Sequence, residues 1–380
     1  EMDKQNLLSS KKVLIIDPSE KLENDKTFCF WSTKEEDIFK DYRLLISNQW
    51  SGIQINNSQP ESISPQFYFH INSIDLYDKA RSIIEKYTIK VLVGKITRIQ
   101  NGAKVKVKSS EGSFTCSYVF DSRSIDFEKI KKSNHFIYQS FFGLKIRLKH
   151  KVFDESVYRM MDFRVSQQVA TQFVYILPYD STSALIELTR FGKKVIHKAL
   201  AKQQLIEYIH NYFGEHEVIA DEFGVIPMAS HNFKSKKSEK VIQIGTRAGS
   251  VKPSTGYAFK NMYTHAKAIC SDGIQSKNIT INKRFAFYDQ LLLIILSKWP
   301  QMGKPIFERL FSKKRSFLIL KFLDEKTSIR EDLSIFGKLQ IGVFLKALYY
   351  WFFNKLKPSI VAILFIVSIF LFENNSSSIF

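Results

Sequence analysis

Glycine is scarce in this chain, 15 in 380 residues. Scarcity makes each one informative, because glycine is kept where the backbone needs positive φ or where something must approach closer than a Cβ permits. Cysteine is scarcer still. Cys29, Cys116 and Cys270 lie far apart with no CxxC pair, which excludes zinc-ribbon spacing, a disulfide framework and a dithiol redox centre, and fits a reducing compartment. No GxGxxG dinucleotide fingerprint occurs anywhere, and no internal repeat or low-complexity tract breaks the sequence. No apolar run reaches the roughly 20 residues that span a bilayer.

What is abundant is positive charge and phenylalanine. The net charge is +19 and there are 33 Phe, within a globular 44% of hydrophobic residues. The charge is dispersed, with no zinc-finger spacing, RNA-binding aromatic signature or basic zipper, so nucleic acid is not the expected partner. A local basic excess is C-terminal: Lys304 to Lys357 holds twelve Lys/Arg against five Asp/Glu. There "LQIGVFLKALYYWFFNKLK" mixes aromatics with Lys338, Lys346, Lys355 and Lys357, and the apolar "PSIVAILFIVSIFLF" (Pro358 to Phe372) follows. Basic residues beside an apolar, aromatic stretch suit an anionic membrane surface. The expectation is peripheral or C-terminally anchored contact with the cytoplasmic face of a membrane; a plain C-terminal core helix is the alternative. Oligomeric state stays open.

Along the chain, Val13 to Ile16 is a buried-strand pattern closed by Asp17 and Pro18. In a dinucleotide-binding βαβ unit the second strand ends in an acid that hydrogen-bonds the ribose, and Asp17 suits that place; an ordinary turn acid is the alternative. The first strand and its glycine loop are then expected upstream of Glu1, so that the chain from Glu1 onward would hold little dinucleotide on its own. Ser73 to Tyr87 has the pattern of an amphipathic helix. "IKVLVGKITRIQNGAKVKVKSSEGSFTCSYVFDSR" reads as three short strands with turns at Asn101-Gly102 and Glu111-Gly112, ending at Asp121. From Gln139 to Arg190 long alternating strands predict an antiparallel sheet, with a hairpin around Pro178 to Ser183. "KALAKQQLIEYIHNYFG" predicts a helix stopped by Gly214, and "EFGVIPM" a strand. Lys234, Lys236, Lys237 and Lys240 mark an exposed loop.

Against this background "IGTRAGSVKPSTGYAF" (Ile244 to Phe259) stands out, with three glycines in twelve residues between a strand end and a helical pattern. Such a turn offers free N–H groups to an anion or polar ligand. Together with "NDKTFCFW" (Asn24 to Trp31), "MDFR" (Met161 to Arg164), "YILPYDSTSALIELT" (Tyr175 to Thr189) and "GVIPM" (Gly224 to Met228), it resembles the lycopene cyclase family, flavoproteins related to geranylgeranyl reductases and aromatic hydroxylases. The resemblance spans about Val13 to Phe259. It implies an α/β fold: a Rossmann-like FAD-binding domain of the glutathione-reductase and aromatic-hydroxylase type, an antiparallel-sheet substrate domain and a helical C-terminus. The expected boundaries are 1–23, 70–135 and 241–285 for the FAD-binding domain and 24–69 and 136–240 for the substrate domain. A helical region at 286–357 and the membrane-associating segment 358–372 complete the chain. The implied flavin contacts are Asp17, Asp121, Gly245, Gly249, Gly256 and Tyr257, with the helix after Pro253 aimed at polar groups of FAD. The implied cofactor is reduced FAD with NAD(P)H as reductant, and the implied substrate is lycopene.

The implied reaction is redox-neutral: a terminal ψ-end is protonated, a neighbouring double bond captures the cation, and a proton leaves. An alkene needs a strong donor, so the acid must be a neutral carboxyl in apolar surroundings that raise its pKa. Glu187, inside "ALIELT" and sharing a strand face with Leu185 and Thr189, meets that demand; Asp162 after Met160-Met161 is the second candidate. A solvated edge-strand carboxylate and a structural acid are the respective alternatives. Leu188 stands where many relatives carry a further acid. Phe28, Phe30 and Trp31 are candidates to shape a polyene tunnel, or are plain core. Two other functions stay open: a flavin-dependent reductase or hydroxylase of the same fold, and an inactive membrane-associated fragment.

Overall fold

In the computed structural model, residues 1–133, 135–229, 238–271, 274, 279, 281–312 and 316–355 are described. The apolar segment 358–372 and the lysines at 234, 236 and 237 lie outside them. In chain order the first elements are β1 (Leu14–Asp17), β2 (Thr27–Ser32), α1 (Asp37–Tyr42), β3 (Ile46–Trp50), β4 (Gly52–Ile55), β5 (Glu61–Ser62) and β6 (Phe67–Asn72). Next come α2 (Ser73–Lys86), β7 (Lys90–Val93), β8 (Ile96–Gln100), β9 (Val105–Ser109), β10 (Gly112–Cys116), β11 (Val119–Asp121) and α3 (Phe127–Ser133). The middle of the chain supplies β12 (Phe136–Leu148), β13 (Val157–Asp162), β14 (Thr171–Pro178), β15 (Ser183–Gly192), α4 (Lys198–Phe213), β16 (His216–Ala229) and β17 (Val241–Gln243). Helices close it: α5 (Phe259–Cys270), α6 (Lys283–Lys298), α7 (Gly303–Phe311), α8 (Ser316–Leu323), α9 (Ile329–Phe336) and α10 (Ile341–Lys355).

The alternating stretch after Gln139 forms the largest sheet, seven strands in the order β16-β12-β15-β14-β13-β4-β5. Period-two alternation gives it two different faces. On one, Phe142, Leu144 and Ile146 of β12 and Ile186 and Leu188 of β15 are buried against Leu205, Tyr208 and Ile209 of α4. Each fully buried aliphatic side chain there contributes about 1.5–3 kcal/mol. Leu188 belongs to this helix-covered face, so an acid at that position would point away from the other one. The other face, with Phe141, Leu185, Glu187 and Thr189, borders a cavity.

Two parallel pairs, β1 with β7 and β11 with β17, form separate two-stranded sheets. Three antiparallel strands, β2-β6-β3, make a further layer rich in aromatic contacts. The C-terminal helices pack on the mixed sheet: Leu293, Leu296, Phe307 and Phe311 share one core with Phe173, Leu177 and Phe191. α10 lies on α6 through Val343 and Ala347. Its other side leaves Ile341, Leu345, Leu348, Tyr349 and Phe352 exposed. Among the described residues no helix is long and apolar enough to cross a membrane.

Candidate functional site

A cavity of about 1210 Å³ runs from β1, β11 and the turn after β17 to the inner face of the large sheet. Its walls are mainly aromatic and aliphatic, including Phe28, Phe141, Phe173, Tyr175, Phe191 and Phe307. That volume exceeds the range usual for a single small ligand.

Glu187 and Glu222 both face this cavity. Glu187 on β15 and Glu222 on β16 are each paired in register with the same residue of the strand between them, Gly143 of β12. Opposite residues of neighbouring antiparallel strands point to one face, so the two carboxyl groups lie on the cavity side together. They share a hydrogen bond. Thr189 Oγ1 donates to Glu187 Oε1 at 2.6 Å, and Thr27 Oγ1 donates to Glu222 Oε2 at 3.0 Å. Glu187 is accessible only in part, and what it exposes borders the cavity. Burial pushes its carboxyl up to about 8, with the neighbouring Glu222 adding to the effect. Burial also raises Glu222, against the hydrogen bonds from Thr27 and Glu187. Ionising both would place two like charges in an apolar wall, so the pair keeps a proton at neutral pH.

Beside the carboxyls lies a chain of buried phenols. Tyr175 donates to the Tyr68 hydroxyl at 2.5 Å, and Tyr68 to the Tyr257 hydroxyl at 3.3 Å. Burial pushes all three phenols up, so they remain neutral donors. Tyr68 is also stacked on Tyr158, with ring centroids 4.5 Å apart, and Trp31 meets the Tyr257 ring edge-on at 4.5 Å. Phe28 reaches the cavity; Phe30 and Trp31 are core.

The glycine-rich turn supplies the other end. Gly245, Gly249 and Gly256 have φ of 62°, 83° and 77°, values that side chains resist. Gly245, Gly256 and Tyr257 line the cavity. A Cβ on Gly256 would fall 2.1 Å from Gln139 Oε1, and that buried oxygen has no hydrogen-bond partner. An orphaned acceptor beside a bare backbone is what the polar edge of a flavin ring system needs, so the residues present here fit that group. The buried Lys252 anchors the turn, its Nζ 2.7 Å from Glu325 Oε1 and 3.2 Å from Asp289 Oδ2 of α6.

Several predicted residues stand off the cavity wall. Asp162 is fully buried, but Arg159, Arg164 and Tyr208 all donate to it, Tyr208 at 2.6 Å. Against the cost of burial, these donors hold its carboxyl below the usual range. An ionised, triply held carboxylate cannot serve as the proton donor, which corrects the candidacy of Asp162. Asp121 is clasped by Arg123, at 2.8 Å, and by Arg247, at 3.0 Å, joining the ends of β11 and β17. Asp17 accepts from Ser19 N at 2.9 Å and pairs with Lys21 at 3.1 Å; its neighbours Val13 and Ile15 line the cavity instead. Gly249 closes the short 3-10 turn through its N–H to Thr246 O, 3.0 Å. Pro253 lies in a turn rather than at a helix start, because Gly256 N bonds back to Lys252 O and α5 begins only at Phe259. Sequence reasoning missed Glu222, Gln139 and the Tyr68–Tyr175 pair. A glycine inside a strand, Gly143, was the one local signal of a close approach there.

The model of a family described as lycopene cyclase protein matches residues 6–347. A lycopene beta-cyclase from Paracoccus sp. (strain N81106 / MBIC 01143) is 32% identical over 105 residues, 26% of this chain; the match spans only 27% of that relative's length. A geranylgeranyl bacteriochlorophyll reductase-like protein from Thermoplasma acidophilum superposes with a TM-score of 0.50 at 13% identity, covering 91% of each chain. The flavin-dependent brominase Bmp2 gives 0.51 at 12% identity over 92% of this chain and 95% of its own. A flavin-dependent halogenase from Xanthomonas campestris gives 0.51 at 8% over 82% and 75%. At such identities the likeness shows the fold, the α/β fold of the glutathione-reductase type that the sequence led us to expect.

Proposed function

The chain belongs to the lycopene cyclase family, and from that premise we propose that it closes the ψ-ends of lycopene into rings, of the β type, without net redox change. The observation that carries this reading is the placement of Glu187, side by side with Glu222, in the wall of a large apolar cavity. Burial and the neighbouring Glu222 both raise its pKa, so it keeps its proton at neutral pH. A weakly acidic, poorly solvated carboxyl is a competent donor to a carbon–carbon double bond, since its conjugate base is not rewarded by water before the transfer. Thr189 fixes the orientation of the carboxyl through its 2.6 Å hydrogen bond.

The cation formed by that proton needs a dry, electron-rich wall. Tyr68, Tyr175 and Tyr257 face the cavity and present aromatic surface, each such contact worth about 2 kcal/mol or more to a desolvated cation. Excluding water also keeps the cation from being captured as an alcohol, so ring closure by the adjacent double bond wins. Gly245, Gly256, Tyr257 and Gln139 are the residues that would hold FAD beside this space. Reduced with NAD(P)H as the source of electrons, that flavin would supply negative charge to stabilise the cation. The polyene itself would come from a bilayer, which suits the exposed apolar side of α10 and its Lys346.

The test is pigment analysis. The full-length protein, expressed in cells that accumulate lycopene, should yield carotenoid with one or two β-rings by chromatography. Cells in which lycopene alone persists, while the protein is folded and carries flavin, overturn the reading.

A further inference from the structure

The large sheet has a hole in its side-chain pattern, and two carboxyl groups close over it. In the row Glu187–Gly143–Glu222, three adjacent strands put their residues on the same face. Strands lie about 4.8 Å apart, so the outer two backbones are roughly 10 Å from each other. Only side chains as long as glutamate can meet across that span, and only if the middle residue has none. A Cβ at 143 would sit 2.9 Å from Glu222 Cγ, 3.3 Å from Glu222 Oε1 and 3.1 Å from Leu185 Cδ1. Gly143 has no positive φ to explain it; the need is space.

We propose that Glu222 is the second working carboxyl of this site, joined to Glu187 across Gly143, and that it takes the proton the ring-closed cation gives up. The proposal rests on the cyclase reading and assigns the base that the reading leaves unnamed. The balance closes within the pair. Glu187 loses its O–H bond and a C–H bond forms at the end of the isoprenoid polyene. The neighbouring double bond supplies the two electrons of the ring bond. A C–H bond beside the cationic carbon then breaks, its electrons become the ring double bond, and the proton goes to the Glu222 carboxylate. The hydrogen bond between the two groups returns that proton to Glu187. No oxidant or reductant is consumed. Thr27 and Thr189 hold one oxygen of each carboxyl, so each keeps its other oxygen for its partner and the substrate.

The surroundings suit a shared proton. Cys29 of β2, Tyr179 and Tyr257 lie near the pair, and burial raises each of these thiol and phenol groups, so they stay uncharged. Lys145, next along this face of β12, lies over the Tyr179 ring at 4.7 Å. Asp221, beside Glu222 on the outer side, is paired with Lys198 at 3.2 Å. Asp25 and Lys26 are exposed at the cavity edge.

The experiment compares the full-length, flavin-loaded parent with Glu222→Gln and Gly143→Ala. Cyclisation of lycopene in vesicles is followed against pH, together with the infrared carbonyl band of the protonated carboxyl. In the parent, the band and the rate should both fall as pH rises through about 8, the value for Glu187. Glu222→Gln removes the neighbouring charge, so band and alkaline limb should move to lower pH and the rate should drop by about 100-fold or more. Gly143→Ala should do the same by pushing Glu222 aside, with both carboxyls still present. Unshifted band and limb in both variants overturn the pair. A parent that forms no ring, yet shows the band and its shift, keeps the pair and overturns the cyclase reading instead.

Discussion

Glu187→Gln keeps the shape of the side chain and removes its ionisable proton. The consequence for stability can be worked out from the folded value of about 8 against the ordinary 4.5. Below pH 4.5 the carboxyl is protonated in both the folded and unfolded chain, and the substitution changes little. Between 4.5 and 8 the unfolded chain releases the proton while the folded one keeps it, so the parent loses stability as pH rises, by about 1.4 kcal/mol per pH unit. The loss accumulates up to about pH 8, to no more than a few kcal/mol because part of the shift comes from Glu222, and is constant above. Gln carries no such penalty, and its amide can donate to Glu222 and accept from Thr189. The variant should therefore unfold at clearly higher urea than the parent at pH 8–9, with the gap closing by pH 4, and should lose cyclisation by about 100-fold or more. Urea melts at several pH values and chromatographic product counts check both halves. Equal midpoints at pH 4 and pH 9 would mean that Glu187 ionises normally in the folded chain, and the acid role would fall with it.

Asp162→Asn should cost about 3 kcal/mol at pH 7 by stranding Arg159 and Arg164, yet leave the rate per folded molecule and the β-ring product unchanged. Because the Asp162 carboxyl is held low, its contribution is present above the ordinary carboxylate range and lost as pH falls, so the melts of parent and variant should converge in acid. Gly256→Ala places a methyl against Gln139 Oε1 at φ 77°, a backbone penalty of about 1–2 kcal/mol; flavin absorbance per mole of protein should drop sharply, and full retention would remove this turn from the flavin site. Leu345→Glu with Phe352→Glu should release the protein from anionic vesicles in flotation assays without changing its melt, since both side chains are exposed; undiminished binding would move the membrane contact to another surface.

The sequence by itself determined what depends on neighbours along the chain. Alternation put Glu187 on the same face as Leu185 and Thr189, and that face borders the cavity. The scarcity of glycine pointed to Gly245, Gly249 and Gly256, and all three have positive φ, a backbone requirement that is local by nature. The ordered motifs from Asn24 to Phe259 carried the family. Only the tertiary structure decided which distant groups meet. Glu187 and Glu222 are 35 residues apart and become partners through the registers of two strands on β12, which no local pattern encodes. Asp162 and Glu187 look alike as acids in apolar strands; packing against α4 brings Tyr208 to the first, and the arginines near it in sequence fold onto its carboxylate. One carboxyl is thereby kept charged and the other kept neutral. Asp17 and Asp121 were legible as strand-end acids, but which way a strand-end side chain turns depends on the cations the fold delivers, here Lys21, Arg123 and Arg247. Residue type set what each group could do, and the partners met across the fold set which of those things it does.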